Sequence, residues 1–232
     1  MPEYLSHLLF PLDTDAFLKH YRAREYFHVR RTSPGYYADL LTVAELDAVL
    51  QSRQLPAASV NVVNNGVRCP IEEWSGVETS ARGIHRVAIP EKLLGLYASG
   101  ATLILNHAHG ALPALSNACR ILTEELGFPA QTNIYITPRG SVGFSKHADE
   151  HDVLILQIAG CKEWLVYPPD APPAEIQLQS GDLLYVPRGI FHAAKSRDED
   201  SIHITLGLLP VIAVQISGVG EAGLKSEKEP SL

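Results

Sequence analysis

The chain has 232 residues, of which 46% are hydrophobic and 19% charged, and its 19 Lys and Arg against 26 Asp and Glu give a net charge of −7. This apolar fraction excludes a chain that is disordered throughout, and the length is sufficient to bury a full core. The acidic balance argues against broad binding to nucleic-acid phosphates, which needs clustered Lys and Arg, but it is compatible with a basic protein or peptide partner.

The N-terminus, MPEYLSHLLFPLD, lacks the basic start and long apolar run of a signal peptide. No stretch approaches the roughly 20 apolar residues of a membrane span. Cys69, Cys119 and Cys161 lie far apart and form no CxxC pair, which is typical of reduced cysteines rather than of a disulfide framework or zinc ribbon. We therefore expect a cytoplasmic protein with neither a membrane nor a nucleic-acid partner.

Residues 1–130 are predicted to form a mainly helical portion that packs on the remainder of the chain. Asp13 is placed to cap a helix, and Thr42 with Glu45 forms a capping box before another. Pro90 opens a further helix, since proline is favoured in the first turn. The longest helical stretch runs over about 112–126 and is predicted to end at Gly127.

Short strands are predicted from residue 131 onward. They cover residues 133–137, 153–158, 163–167, 176–178, 183–187, 191–194 and 202–206. Short strands at regular intervals, separated by Gly and Pro turns, indicate a sandwich, barrel or jelly roll. We assign this β-domain to residues 131–217, and we expect the polar stretch 218–232 to be a flexible tail.

A metal site is predicted around the run KHADEHD. On a strand, His147 and Asp149 would point to the same face, and His192 is the best candidate for a third ligand. Two imidazoles and one carboxylate suit a non-haem Fe(II) ion with open coordination positions, although zinc also accepts these ligand types. The alternative to a metal site is a surface loop that contains acidic residues and histidine but binds no metal.

Other histidines leave the ligand assignment open. His151 shares a strand face with His147 and Asp149, so that Asp149 with His151 is a formal alternative pair. His203 alternates with isoleucines and would face the interior without touching a metal. For His107 and His109, a place in a turn or in the core is favoured over metal ligation.

The sequence resembles the JmjC-type cupins, specifically the ribosomal oxygenase branch of the 2-oxoglutarate-dependent dioxygenases. The matching strings are NIYITPRGSVGFSKHADEHDVLILQIAGCKEWLVYPP and SGDLLYVPRGIFHAAKS, with REYFHVRR, YYADLLTVAELDAVL and SGATLILNHAHGALPALSNACRILTEELG before them. The resemblance covers about residues 15–210. It implies a mainly β fold with helices, a double-stranded β-helix (jelly roll or cupin) with an N-terminal helical extension.

The resemblance also implies roles for individual residues. His147, Asp149 and His192 match the family's iron ligands, in a register that favours His147 over His151. The residues matching those that bind the distal carboxylate of 2-oxoglutarate, or lie near this cosubstrate, are Lys162, Tyr135, Ser196 and Asn133. A lysine inside a barrel is costly unless it meets an anion, whereas a turn position facing water is the other interpretation of Lys162.

The function that the resemblance implies is hydroxylation of a side chain, with Arg or His of a protein or peptide favoured. Iron(II) would be the cofactor, with 2-oxoglutarate and dioxygen as cosubstrates. The full ribosomal oxygenases continue into a helical dimerisation region and a winged helix, so a homodimer is left open. The alternatives are a hydroxylase of a small molecule or biosynthetic peptide, and a non-enzymatic cupin that binds a metal or another ligand.

Overall fold

Six α-helices lie in the computed structural model, which describes residues 3–80 and 83–210. They are α1 (Glu3–Leu9), α2 (Thr14–Ala23), α3 (Val43–Gln51), α4 (Ile71–Trp74), α5 (Pro90–Ala98) and α6 (Pro113–Leu126). Two short 3-10 helices cover Ala57–Ser59 and Ala108–Gly110. Among the helices of these two ranges, none has both the length and the apolar character needed to cross a bilayer.

The helix ends predicted from the sequence are confirmed. The Asp13 carboxylate accepts a backbone hydrogen bond at the start of α2, and Thr42 with Glu45 forms both bonds of the capping box before α3. Pro90 stands in the first turn of α5. Gly127 ends α6 in the left-handed conformation, with φ of 75°, which glycine adopts without steric cost.

Twelve strands accompany these helices within the described ranges. They are β1 (Phe27–Val29), β2 (Val60–Asn64), β3 (Val67–Arg68), β4 (Ser75–Ser80), β5 (Gly83–Ala88), β6 (Thr102–Leu105), β7 (Ala130–Thr137), β8 (Asp152–Tyr167), β9 (Ala174–Gln179), β10 (Leu183–Val186), β11 (Phe191–Lys195) and β12 (Ser201–Leu208). All seven predicted strands coincide with β7–β12, although the predicted strand 183–187 extends one residue beyond β10.

The strands form a large antiparallel sheet with the order β1-β10-β8-β12-β7-β6-β2-β3. Two more strands, β9 and β11, pair with the second half of β8 and form a smaller sheet with it. The hairpin β4–β5 is separate. The predicted fold class, a double-stranded β-helix with helices, is confirmed.

Strand β8 belongs to both sheets, because it runs without interruption over 16 residues. The sequence predicted two strands here, since Gly160 indicated a turn. Gly160 instead has φ of +66°, and a Cβ at this position would lie 1.8 Å from the Asp200 carbonyl oxygen. Glycine therefore lets the chain pass from one sheet to the other within a single strand.

The N-terminal portion contains six strands that the sequence did not predict, and four of them (β1, β2, β3 and β6) join the large sheet. Strand β6 is buried at all four residues and so lacks the alternation of a half-buried strand. Since β6 pairs with β7, the sheet continues across residue 130. The division into residues 1–130 and 131–217 stays a prediction, and the segment 218–232 lies outside the described residues.

Two apolar clusters lie on the two sides of β8. Leu154 and Leu156 belong to the larger cluster with the helices, whereas Val153 and Ile155 belong to the smaller one. Trp164 and Val166, farther along the strand, also belong to the smaller cluster, together with residues of β9 and β10. Even-numbered residues of the second half of β8 therefore face the interior between the two sheets. Lys162 is one of these even-numbered residues, so its side chain faces the same interior.

Candidate metal centre and ligand pocket

The three predicted metal ligands lie together. Atoms of His147, Asp149 and His192 that could bind a metal are all within 4.8 Å of one another, and over residues 3–80 and 83–210 this is the one such group. The Asp149 carboxylate lies 3.9 Å from His147 Nε2 and 3.6 Å from His192 Nε2. The two imidazole rings are 4.5 Å apart between centroids.

Backbone hydrogen bonds join the two segments that carry these side chains. His192 lies on β11, whereas His147 lies in an irregular segment before β8. The His147 N–H donates to the His192 carbonyl at 3.0 Å, and the His192 N–H donates back at 2.8 Å. The Gly189 N–H also donates to the Asp149 carbonyl at 2.9 Å. The segments are therefore fixed to each other at the ligand positions themselves.

Both imidazoles are oriented for metal binding. His147 Nδ1 lies 2.9 Å from the Ser145 carbonyl oxygen, and His192 Nδ1 lies 3.0 Å from that of Ile190. A carbonyl can only accept, so each Nδ1 carries the proton and each neutral ring leaves Nε2 free as a ligand. Burial lowers the pKa of His192, which favours the neutral ring. This donor set fits a divalent first-row metal such as Fe(II).

The other histidines lie outside this cluster. The ring of His151 packs against Gly207, where an added Cβ would lie 2.6 Å from Nε2. His107 is exposed, and His109 Nδ1 accepts the Thr132 N–H at 3.2 Å. His203 is buried and faces the interior, as the alternation of β12 predicted. The structure thus brings His147, and not His151, to Asp149 and His192.

Lys162 is almost completely buried, at 2% exposure, so the interpretation in which it faces water is wrong. Its Nζ donates to Thr137 Oγ1 at 2.8 Å. No carboxylate among the described residues forms an ion pair with it. Burial lowers the pKa of Lys162 to about 7. An ammonium group has three N–H donors, so this one can bind a further anionic or polar group.

Tyr135 and Asn133 lie two residues apart on β7 and are connected to each other. The ring of Tyr135 stacks on His203, with centroids 4.7 Å apart and planes inclined by 4°. Burial, with Asp149 nearby, raises the pKa of Tyr135 to about 12, although a hydrogen bond from Asn133 acts in the opposite direction. Asn133 Oδ1 also accepts the His107 N–H at 3.0 Å. Asn133 therefore connects the Tyr135 phenol to the 3-10 turn that follows β6.

Ser196 immediately follows β11, in which Lys195 pairs with Glu163, so Ser196 comes next to Lys162 in this register. Ser196 is 2% exposed, and its hydroxyl oxygen has no hydrogen-bond partner in the part of the chain that the structure describes. A buried hydroxyl normally has a partner. Lys162, which lines the pocket, and the buried Ser196 are therefore two polar groups with unused hydrogen-bonding capacity.

One pocket includes the metal cluster, Tyr135 and Lys162. Eight further lining residues were not assigned from the sequence: Thr102, Gly143, Phe144, Val153, Ile155, Trp164, Ala194 and Thr205. The alternation of β8 and β12 could have indicated Trp164 and Thr205, which lie two residues after Lys162 and His203. Thr102 had no such signal, because β6 itself was not predicted.

The fold and this site together define a cupin-type protein with a candidate metal centre. Residues 110–177 and 168–215 match the family model of the JmjC domain. The chain's resemblance to the ribosomal oxygenases is also confirmed by curated relatives and by solved structures.

Among the curated relatives, Ribosomal oxygenase 1 of Gallus gallus is 30% identical over 226 residues, which cover 88% of this chain and 36% of the relative. The Bifunctional lysine-specific demethylase and histidyl-hydroxylase NO66 of Drosophila sechellia is 29% identical, with coverage of 87% and 33%. The chain thus spans about a third of the length of these relatives.

Among solved structures, the ribosomal oxygenase YcfD of Escherichia coli in complex with cobalt and 2-oxoglutarate matches with a TM-score of 0.58. The match is 16% identical and covers 88% of this chain and 53% of that one. The same protein in complex with cobalt and succinic acid matches with a TM-score of 0.58 and 16% identity. At this identity the similarity shows a shared fold.

Proposed function

We propose that this chain is an Fe(II)- and 2-oxoglutarate-dependent oxygenase that hydroxylates a side chain of a protein or peptide, with Arg or His favoured. The observation that carries the proposal is the presence, in one pocket, of a His-Asp-His cluster and a buried lysine that forms no ion pair with the described residues. A curated relative that is named as a histidyl-hydroxylase supports a protein side chain as the substrate.

His147, Asp149 and His192 would hold the metal, which together with 2-oxoglutarate and dioxygen supplies the oxidising chemistry when bound. Lys162 would bind the far carboxylate of 2-oxoglutarate, with Tyr135 and Ser196 as further hydrogen-bond donors. A charge-assisted hydrogen bond of this kind stabilises a complex by about 1.5–3 kcal/mol. Asn133 would orient the Tyr135 phenol, and the apolar walls exclude water from the reacting groups.

The partner in this proposal is a basic protein or peptide in the cytoplasm, and homodimerisation is left to experiment. The net charge of −7 supports a basic partner, because opposite charges accelerate encounter. A peptide that contains Arg or His among other basic residues is the first substrate to test.

We expect the purified chain to form succinate when it is incubated with Fe(II), ascorbate, 2-oxoglutarate and air. Slow uncoupled turnover consumes 2-oxoglutarate even without a substrate, and Asp149→Ala should abolish it because a metal ligand is lost. Addition of the correct basic peptide should accelerate succinate formation and add one oxygen atom to the peptide, as measured by mass spectrometry. Metal binding without succinate formation, with or without peptides, would favour a non-enzymatic binding module.

The affinity for 2-oxoglutarate is expected to fall as the pH rises from about 7 to 9. The pKa of Lys162 is about 7 in the ligand-free protein, so the amine loses its proton in this range, whereas a bound carboxylate favours the charged amine. Binding should therefore take up a proton above pH 7. The neighbouring groups stay neutral, because burial lowers the pKa of His203 and raises that of Tyr135.

Calorimetry at pH 8 in two buffers with different ionisation enthalpies measures this proton uptake. Lys162→Met is the control, since it lacks the titrating amine. Binding heats that do not depend on the buffer would contradict the assignment of the proton to Lys162.

A further inference from the structure

Trp164 occupies the middle of the path between the metal cluster and Lys162. On the wall formed by β8 and β11, Val166 pairs with His192 and Trp164 pairs with Ala194. Lys162 and Ser196 come next in this register. Inward positions of one strand follow at about 6.6 Å, twice the rise per residue. A ligand that reaches from the metal to Lys162 therefore passes along the indole of Trp164.

The ring of Trp164 is held by its neighbours on both sides of this path. Its centroid lies 6.0 Å from that of His192 and 5.3 Å from that of His203, which it meets edge to face at 77°. Trp164 is 6% exposed and lines the pocket. The indole therefore lies between the metal ligand His192 on one side and His203 on the other.

The N–H of this indole is buried and has no hydrogen-bond partner among residues 3–80 and 83–210. An indole nitrogen can only donate, and a buried donor without a partner destabilises the folded protein. Trp74 in α4 shares this property, since it is 2% exposed and its N–H also lacks a partner. An orphaned N–H alone therefore does not indicate a ligand. Trp164 differs from Trp74 in that it lines the ligand pocket as well as packing in the smaller apolar cluster, whereas Trp74 packs in the larger cluster and does not line this pocket.

We propose that the Trp164 indole is a ligand-binding residue, whose N–H donates a hydrogen bond to an oxygen atom of the bound 2-oxoglutarate. This inference rests on the proposed function, since it takes the diacid between the metal and Lys162 as the ligand. In this arrangement the diacid accepts a hydrogen bond from Trp164 in the middle of the pocket, in addition to its contacts with the metal at one end and with Lys162 at the other. His203 is the positioning residue that keeps the indole edge-on at this point.

The substitution Trp164→Phe tests this assignment because it keeps an aromatic ring and removes the N–H. In the zinc-loaded chain, we expect the dissociation constant for 2-oxoglutarate to rise about tenfold or more, since a hydrogen bond to a charged group is lost. The affinity for zinc should stay unchanged. Trp74→Phe is the matched control, as it removes the other orphaned N–H, and it should leave both affinities unchanged. Isothermal titration calorimetry measures all of these constants.

A second measurement observes the N–H itself. The chain has two tryptophans, so Trp74→Phe leaves Trp164 as the source of the one indole N–H signal in a ¹H–¹⁵N spectrum. Zinc is diamagnetic and keeps this signal visible. Addition of 2-oxoglutarate should shift the Trp164 indole proton downfield, as a new hydrogen bond to an oxygen does. This measurement remains decisive if Trp164→Phe fails to fold.

Two results would overturn the inference while leaving the proposed function intact. One is a Trp164→Phe protein that binds 2-oxoglutarate with the affinity of the unsubstituted chain. The other is an indole signal that stays in place when the cosubstrate saturates the protein. If the unsubstituted metal-loaded chain binds no 2-oxoglutarate at all, the proposed function fails and this inference fails with it.

Discussion

Replacing His192 with alanine is expected to weaken the binding of a divalent metal by more than about a hundredfold, because even the loss of a residue that supports a metal ligand costs 10–100-fold. His192 supplies one of three ligand atoms that lie within 4.8 Å of one another. Two remaining ligands hold a metal ion far less tightly than three. Titration with Co(II), followed by its visible absorption, measures the affinity, and succinate formation should be lost in parallel.

His151→Ala is the matched control for this substitution. His151 is close to the ligands in sequence, but its ring lies against Gly207, outside the cluster. We expect the His151→Ala protein to bind metal as tightly as the unsubstituted chain. A large loss of metal affinity in His151→Ala, together with a small loss in His192→Ala, would show that Asp149 binds metal with His151 instead.

Lys162→Met should have two effects of opposite direction. The affinity for 2-oxoglutarate is expected to fall by about a hundredfold or more, since the carboxylate would be left buried without its positive partner. The ligand-free protein should become more stable by about 1–4 kcal/mol, as methionine fills a similar volume without a charge to desolvate. Calorimetry measures the affinity, and urea denaturation of the ligand-free protein measures the free energy of unfolding.

The gain in stability has a predictable pH dependence. The pKa of Lys162 falls from about 10.4 in the unfolded chain to about 7 in the folded one, so the unfolded state binds more protons between these values. The lysine therefore lowers the free energy of unfolding as the pH falls from 10 to 7. The stabilisation by Lys162→Met should be largest below pH 7 and small near pH 10.

Lys195→Met provides the control, because Lys195 is half exposed and pairs with Glu163 in the same sheet. It should change neither the affinity for 2-oxoglutarate nor the stability by more than a few tenths of a kcal/mol, which is typical of surface ion pairs. Unchanged cosubstrate binding in Lys162→Met would remove Lys162 from the ligand site.

Local sequence signals predicted the elements whose boundaries depend on nearby residues. Two helix-end signals act within one helical turn: the capping box of Thr42 with Glu45, and the glycine after α6. Both can therefore be recognised in the sequence without knowledge of the tertiary structure. Strand β6 and the passage through Gly160 depend on distant contacts instead. The four residues of β6 are all buried by other elements, and Gly160 is required by the Asp200 carbonyl 40 residues later in the chain.

The residues of the candidate site also divide into those that nearby sequence predicts and those that depend on distant contacts. His147 with Asp149, and Asn133 with Tyr135, are pairs two residues apart, and strand alternation predicts that each pair shares a face. The meeting of His147 with His192 depends on backbone bonds between separate segments. Alternation alone left His151 as an alternative to His147. The resemblance favoured His147. In the structure the ring of His151 packs against Gly207, away from the metal cluster.

The pairing of β8 with β11 also sets limits on how this site can evolve. His192 and Ala194 stand opposite Val166 and Trp164 in one ladder, which ends at the pair Lys195 and Glu163. This register fixes how far along β8 Lys162 lies from the residue opposite His192. A single deletion inside either strand would turn every following side chain to the other face. Descendants of this sequence can lengthen the connection at 168–173, whereas the paired strands can change only by substitution. The connection at 197–200 is constrained as well, because the Asp200 carbonyl lies against Gly160.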